Sequence, residues 1–217
     1  MATYLQYDGL GRVLSVTPPG DLFPAIKYTY PTGDSISMPF AVLAETRVDA
    51  YTITPQYQRS WTIYDGLGRV IQTQSEIEDG LLVVSDAAYD AFGRPVMASL
   101  PYTIPIMGGG VYHPPDWNNQ LKTVTTYDIK GRVVTVTAPD GSVTQKAYQA
   151  WNELLLDAKG HQTVYINDGL GRLIEVHEYD GMYANPTWAA ADPTVTKYNH
   201  DAAGNLIRVV DALGHVI

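Results

Sequence analysis

Apolar side chains recur at every second position along most of this chain, in short runs broken by Gly, Pro, Asp and Asn. No long window carries them at helical spacing. The pairs Leu14/Val16, Ile71/Thr73, Val96/Ala98, Val134/Val136, Ile174/Val176 and Ile207/Val209 mark one face of successive strands. The residues between and after them, Ser15/Thr17, Gln72/Gln74, Thr135/Thr137 and Glu175/His177, mark a polar face. Period two is the signature of a half-buried strand, so the first set is expected to face inward and the second outward. Tyr at 16 positions, with 19 Gly and 14 Pro, suits pleated strands joined by tight turns. The chain is predicted to be all-β.

Each of these strands follows one short motif, present six times: YDGLGRVLSV from Tyr7, YDGLGRVIQT from Tyr64, YDAFGRPVMA from Tyr89, YDIKGRVVTV from Tyr127, NDGLGRLIEV from Asn167 and HDAAGNLIRV from His200. The shared Asp-x-x-Gly reads as a hairpin turn. Asp opens a type I turn and accepts from N–H groups within it, and Gly takes the positive φ of the bulge that follows. The predicted turn residues are Asp8 and Gly11, Asp65 and Gly68, Asp90 and Gly93, Asp128 and Gly131, Asp168 and Gly171, and Asp201 and Gly204. Valine at Gly131 is therefore expected to cost more than valine at Gly109, which lies outside any such turn. Where Asn167 and His200 replace the Tyr, Tyr165 and Tyr198 stand two residues earlier, on the same strand face.

Between residues 124 and 180 further turn signals fall about every ten residues, which describes an antiparallel up-and-down meander. Asp157-x-x-Gly160-His161 and Asp211-x-x-Gly214-His215 alternate with the Arg-bearing turns. Residues 1–217 read as a single β-module with insertions at about 18–60, 101–120 and 181–194, each rich in Pro or Gly and expected on a rim or edge of the sheet. Within the first, residues 40–54 are expected to hold strands, given the run Thr46–Thr54.

Tyr-Asp-x-x-Gly-Arg followed by alternating β-branched residues resembles the YD-repeat, or Rhs-repeat, family: bacterial Rhs toxins, the B and C components of insecticidal toxin complexes, and the teneurins. The resemblance spans nearly the whole chain. It implies strips of antiparallel sheet that spiral into a hollow shell, which in toxin members encloses a C-terminal cargo domain. It implies that this chain is a segment of a longer array, secreted or at a cell surface, with the rest of that shell and its cargo as partners. The Asp-Pro-x-Gly-x-x-Asp motif that ends self-cleaving shells is not matched: Asp192-Pro193-Thr194-Val195 has no Gly in place. Self-cleavage is not carried over.

Charge and composition narrow the functions. With 14 Lys+Arg against 23 Asp+Glu the chain carries −9, without a basic cluster for nucleic acid or anionic lipid. No apolar run approaches the ~20 residues of a membrane-spanning helix, and Met1-Ala2-Thr3-Tyr4 is no signal peptide. The absence of Cys excludes disulfides, thiolate nucleophiles and Cys-held metals. No cofactor or metal is expected, since Asp-x-x-Gly supplies one carboxylate where a calcium loop needs several. No nucleophile elbow, phosphate loop or dinucleotide fingerprint occurs, and the His residues at 113, 161, 177, 200 and 215 lack zinc-site spacing. The clusters Glu76/Glu78/Asp79 and Glu175/Glu178/Asp180 read as solvated strand ends rather than acid–base pairs. Arg12, Arg69, Arg94, Arg132 and Arg172 are expected to pair with turn carboxylates or carbonyls rather than to face a ligand. The expected role is structural, not enzymatic. The alternative is a carbohydrate- or protein-binding surface on the inserted loops, with Trp117 and Trp188 as glycan-stacking candidates. Exposed terminal strands are expected to self-associate, or to be covered by residues 18–60.

Overall fold

The computed structural model describes residues 2–31, 38–49, 54–106 and 109–216. Its only described helix is one 3-10 turn, Glu78–Gly80. The remaining regular structure is antiparallel strand, as the period-two pattern requires. Internal contacts divide the chain into two compact units, residues 1–122 and 123–217.

In the first unit β1 (Tyr4–Tyr7), β2 (Val13–Thr17), β3 (Ile26–Thr29), β4 (Phe40–Arg47), β5 (Tyr57–Tyr64), β6 (Val70–Ile77) and β7 (Leu81–Tyr89) pair in chain order. The free side of β7 takes β8 (Pro95–Ser99) along its second half and β9 (Tyr102–Pro105) along its first. These two are one strand broken at Leu100-Pro101. Proline has no N–H for the ladder, and at the break the Asp86 N–H donates instead to Ser99 Oγ at 2.8 Å.

In the second unit β10 (Lys122–Tyr127), β11 (Val133–Thr137), β12 (Val143–Gln149), β13 (Asn152–Leu156), β14 (Gln162–Asn167), β15 (Leu173–Tyr179), β16 (Thr194–His200) and β17 (Leu206–Val210) form an uninterrupted meander.

Among the described residues, the stretch 18–60 forms neither a rim insertion nor a cover over an edge strand. It supplies β3, β4 and the start of β5 to the interior of the first unit's sheet. Its prolines misled because Pro24, Pro39 and Pro55 stand just outside strands, where their missing N–H costs nothing. Arg47 pairs with Asp21 and donates to the Phe23 carbonyl at 2.8 Å, holding the 18–25 loop against β4. Strand β4 ends at Arg47, and residues 50–53 of the run Thr46–Thr54 lie outside the described residues.

The inward face is also the reverse of the expected one in β6. Gln72 and Gln74 are completely buried, Ser15 of β2 is buried, and Thr73 is exposed. Register places Gln74 between Trp61 and Val84, and Gln72 between Ile63 and Asp86. The core of this unit, Trp61, Leu82 and Val84 with Leu43, Ile104 and Ile106 against it, therefore shares its face with two glutamines and a carboxylate. In the second unit Leu154, Leu156, Val164 and Tyr179 form the core, with Gln162 buried beside them.

Candidate functional site

Six hairpins repeat one arrangement. In each, the Gly N–H donates to the Asp carbonyl and the Asp N–H to the carbonyl after the Gly. Gly11, Gly68, Gly93, Gly131, Gly171 and Gly204 have φ between +77° and +90°, which a Cβ would strain. One oxygen of Asp8, Asp65, Asp90, Asp128, Asp168 and Asp201 accepts two backbone N–H groups at 2.8–3.0 Å. The other accepts from Nε of Arg12, Arg69, Arg94, Arg132 or Arg172 at 2.6–2.8 Å, and in the sixth turn from Asn205. Donation from the arginine's backbone N–H, then from its side chain, holds the carboxyls of Asp8, Asp65, Asp128 and Asp168 below the usual aspartate range. A carboxylate so engaged is held in its charged form by donors of its own turn.

The guanidiniums are engaged on their faces as well. Arg12 lies over Tyr30 at 4.3 Å, Arg69 over Tyr89 at 4.8 Å and Arg132 over Tyr148 at 4.0 Å. The hydroxyls of Tyr89 and Tyr148 donate to the carbonyls of Val70 and Val133, each the residue after the stacked arginine. Each such arginine is thus clasped between its own turn and a tyrosine two strands on. The sequence held this signal as a Tyr 16 to 20 residues downstream of the Arg. Asn167, at a Tyr position of the repeat, donates to the Trp151 carbonyl at 2.7 Å and so closes the β12–β13 turn.

The other two insertions do not stay on a rim; each crosses a buried sheet face. In the first unit Gln74 accepts from the Gly110 N–H at 2.9 Å and donates to the Val111 carbonyl at 2.6 Å. Gln72 donates to the His113 carbonyl at 2.6 Å and accepts its N–H at 3.2 Å. Gln72 also donates to Asp86 at 2.6 Å, and Tyr102 donates to the other Asp86 oxygen at 2.8 Å. Burial lifts the Asp86 carboxyl above its ordinary range, opposed by these two donors. Burial and the donation to Asp86 lift the Tyr102 phenol well above its own. In the second unit Gln162 repeats the device on residues 181–194, accepting the Thr187 N–H at 2.9 Å and donating to its carbonyl at 2.8 Å. Side-chain amides, matched to peptide groups, replace a strand ladder.

Gly109 lies flat on Trp61, where a Cβ would meet the indole at 2.3 Å. This overturns the expectation that Gly109 tolerates substitution better than Gly131. Gly108 lies outside the described residues.

Trp117 and Trp188 fall in different units. Trp117 is partly buried and its carbonyl accepts from Lys122; Trp188 is 38% exposed. Trp61 is core and Trp151 lies on a turn. Of the acidic clusters, Glu76 is held by Arg59 through two bonds of 2.7 and 2.8 Å, and Glu175 by His177 at 2.8 Å. Among the described residues no three His, Asp or Glu side chains converge as a metal site.

Solved structures share this fold. The crystal structure of TcdB2-TccC3 superposes with a TM-score of 0.75 at 19% identity over 97% of this chain. TcdB2-TccC3 without its hypervariable C-terminal region and the Photorhabdus luminescens Tc holotoxin pore each give 0.63 at 21% identity over 79% of it. This is the YD-repeat fold that the six motifs led us to expect. The chain spans only 13% and 10% of the length of those proteins. No curated protein matches it in sequence. The sequence profile of one family does match, over residues 41–150, half of the chain. The chain therefore belongs to the family described as a domain of unknown function, DUF6443.

Proposed function

We propose that residues 1–217 act as one structural β-repeat module, a segment of wall in a secreted or surface protein of the Rhs type that encloses or presents another domain. The observation that carries this reading is the use to which the chemistry shared by the six repeats is put. Each of the six repeat carboxylates is engaged by its own backbone and by the arginine after the glycine, or by Asn205 in the sixth turn. Arg12, Arg69 and Arg132 in turn stack on tyrosines, Arg94 lies over Phe92, and Arg172 donates to the Asp201 carbonyl. Such side chains stiffen hairpins; they leave no acid, base or nucleophile poised for a substrate. The fold shared with TcdB2-TccC3 supports the same role. Partners on this reading are further repeats of the same wall and the domain it encloses, and no catalytic activity is assigned.

The test is limited proteolysis of the protein that carries these residues together with the sequence its reading frame encodes on either side. A wall protects the neighbouring domain, so that domain should survive protease that digests it when expressed alone. Equal digestion in both settings would contradict the proposal. A glycan array run on the chain and on Trp117→Ala and Trp188→Ala variants addresses the alternative. Saturable glycan binding lost in either variant would replace the wall reading with a lectin-like one.

A further inference from the structure

Two loops in separate units are fastened by the same bond type, a buried glutamine amide against a peptide group. We propose that Gln72 and Gln74 form a binding site for the main chain of an extended polypeptide, filled here by the protein's own residues 110–113.

A primary amide offers one accepting and one donating side, as a peptide group does, so these bonds read main chain. Only at Gly110, where φ is +86° and a Cβ would meet Trp61 at 2.8 Å, is the residue fixed as glycine. The two glutamines are two apart on β6, hence about 6.8 Å along the strand on one face. That matches the advance of an extended chain over two residues, and they engage Gly110–Val111 and His113 respectively. The present occupant fits imperfectly. The Nε2 of His113 is buried with no partner. A buried donor or acceptor left so costs free energy that an occupant without an imidazole there need not bear.

The track also continues past the strap. Beyond Gly109 and Gly110 an open cavity of about 390 Å³ runs over Tyr30, Phe40, Ala41, Leu43 and Trp61. A polypeptide longer than the strap has an apolar floor to lie on and the glutamines to hold its backbone. Such recognition joins main-chain bonds for affinity to apolar pockets for selectivity. A sugar would meet the same floor but not the amide spacing.

The probe is a fluorescein-labelled peptide of the strap itself, Gly-Gly-Val-Tyr-His-Pro-Pro-Asp, titrated into the full chain and followed by anisotropy. Gly109→Val evicts the strap by driving a side chain into Trp61. The peptide should bind that variant saturably and bind wild type at least ten-fold more weakly, because wild type holds the strap in competition. Adding Gln74→Leu to Gly109→Val should abolish binding. Replacing the valine and histidine of the peptide by serine should change affinity less than about three-fold. Absence of binding to a Gly109→Val protein of wild-type circular dichroism would overturn the proposal. So would indifference to Gln74→Leu, or displacement of the peptide by cellohexaose. If Gly109→Val fails to fold, amide exchange in wild type decides. Excess peptide should speed exchange at Gly110 and His113, and unchanged rates would refute the site. None of these outcomes depends on whether the chain forms a wall.

Discussion

Asp168 shows how much one side chain contributes to a turn, and how its parts can be separated. Its Oδ1 accepts from Leu170 and Arg172 N–H groups, and its Oδ2 takes the Arg172 guanidinium. Asp168→Asn keeps an oxygen for the backbone and loses the ion pair; Asp168→Ala loses both. Melting temperatures should therefore fall in the order wild type, Asp168→Asn, Asp168→Ala. Equal values for the two variants would mean that the backbone bonds contribute nothing. The carboxyls of this class titrate below their unfolded values, so their contribution is complete above about pH 4 and is lost as pH falls through the folded values. Asp86 runs the other way. Its folded pKa is raised, so its contribution is complete below the unfolded value and is lost as pH rises through the folded one. Ionising Asp86 burdens the fold, so Asp86→Asn should gain on wild type in urea melts as pH rises from about 4, the unfolded aspartate value. A gap that is constant with pH would exclude this. Gly131→Val should cost about 1–3 kcal/mol through its forced positive φ. Gly109→Val, which overpacks Trp61, should cost at least as much. Paired denaturation curves check the ranking.

Among the elements, the straps depart furthest from what the sequence pattern shows. The strands and hairpins could be read from residues alone, because alternation and Asp-x-x-Gly are local signals that act within ten residues. The faces could not. Gln72, Gln74 and Gln162 sit at positions that look solvent-facing by polarity, and they are buried because distant backbone satisfies them: that of residues 110, 111, 113 and 187. Those partners lie 25 to 41 residues away, beyond any periodicity. The arginine–tyrosine stacks, 16 to 20 residues apart in sequence, also lie beyond the period-two signal. The prolines of 18–60 look like loop markers because they stand just outside the strands they punctuate. The second strap provides the cleaner test of the amide device. Gln162→Leu keeps volume and removes both bonds to Thr187, leaving its N–H and carbonyl without partners. A loss of about 1–3 kcal/mol is expected, with faster amide exchange at Thr187. Unaltered exchange there would show that other contacts hold the strap.

At the scale of the whole chain, the repeat runs through both units while the cores remain their own. Trp61, Leu82 and Val84 serve the first, and Leu154, Leu156 and Val164 the second. Stability of such repeats is approximately a sum of unit and neighbour terms, so damage to one hairpin is expected to stay near it. The central claim is that aspartate–glycine turns fold the chain back in one fixed register, and the native absence of cysteine makes it directly testable. In the fourth hairpin Thr126 faces Thr135, their hydroxyls 2.6 Å apart, and Gln6 faces Ser15 at the equivalent place in the first. The decisive measurement is disulfide formation under mild oxidation, read as a mass loss of two hydrogens. Thr126→Cys with Thr135→Cys, and Gln6→Cys with Ser15→Cys, should close rapidly in the native protein. Thr126→Cys with Thr137→Cys, on the same face but two residues out of register, should stay open. Closure of the shifted pair as fast as the matched one would contradict the register on which the account rests.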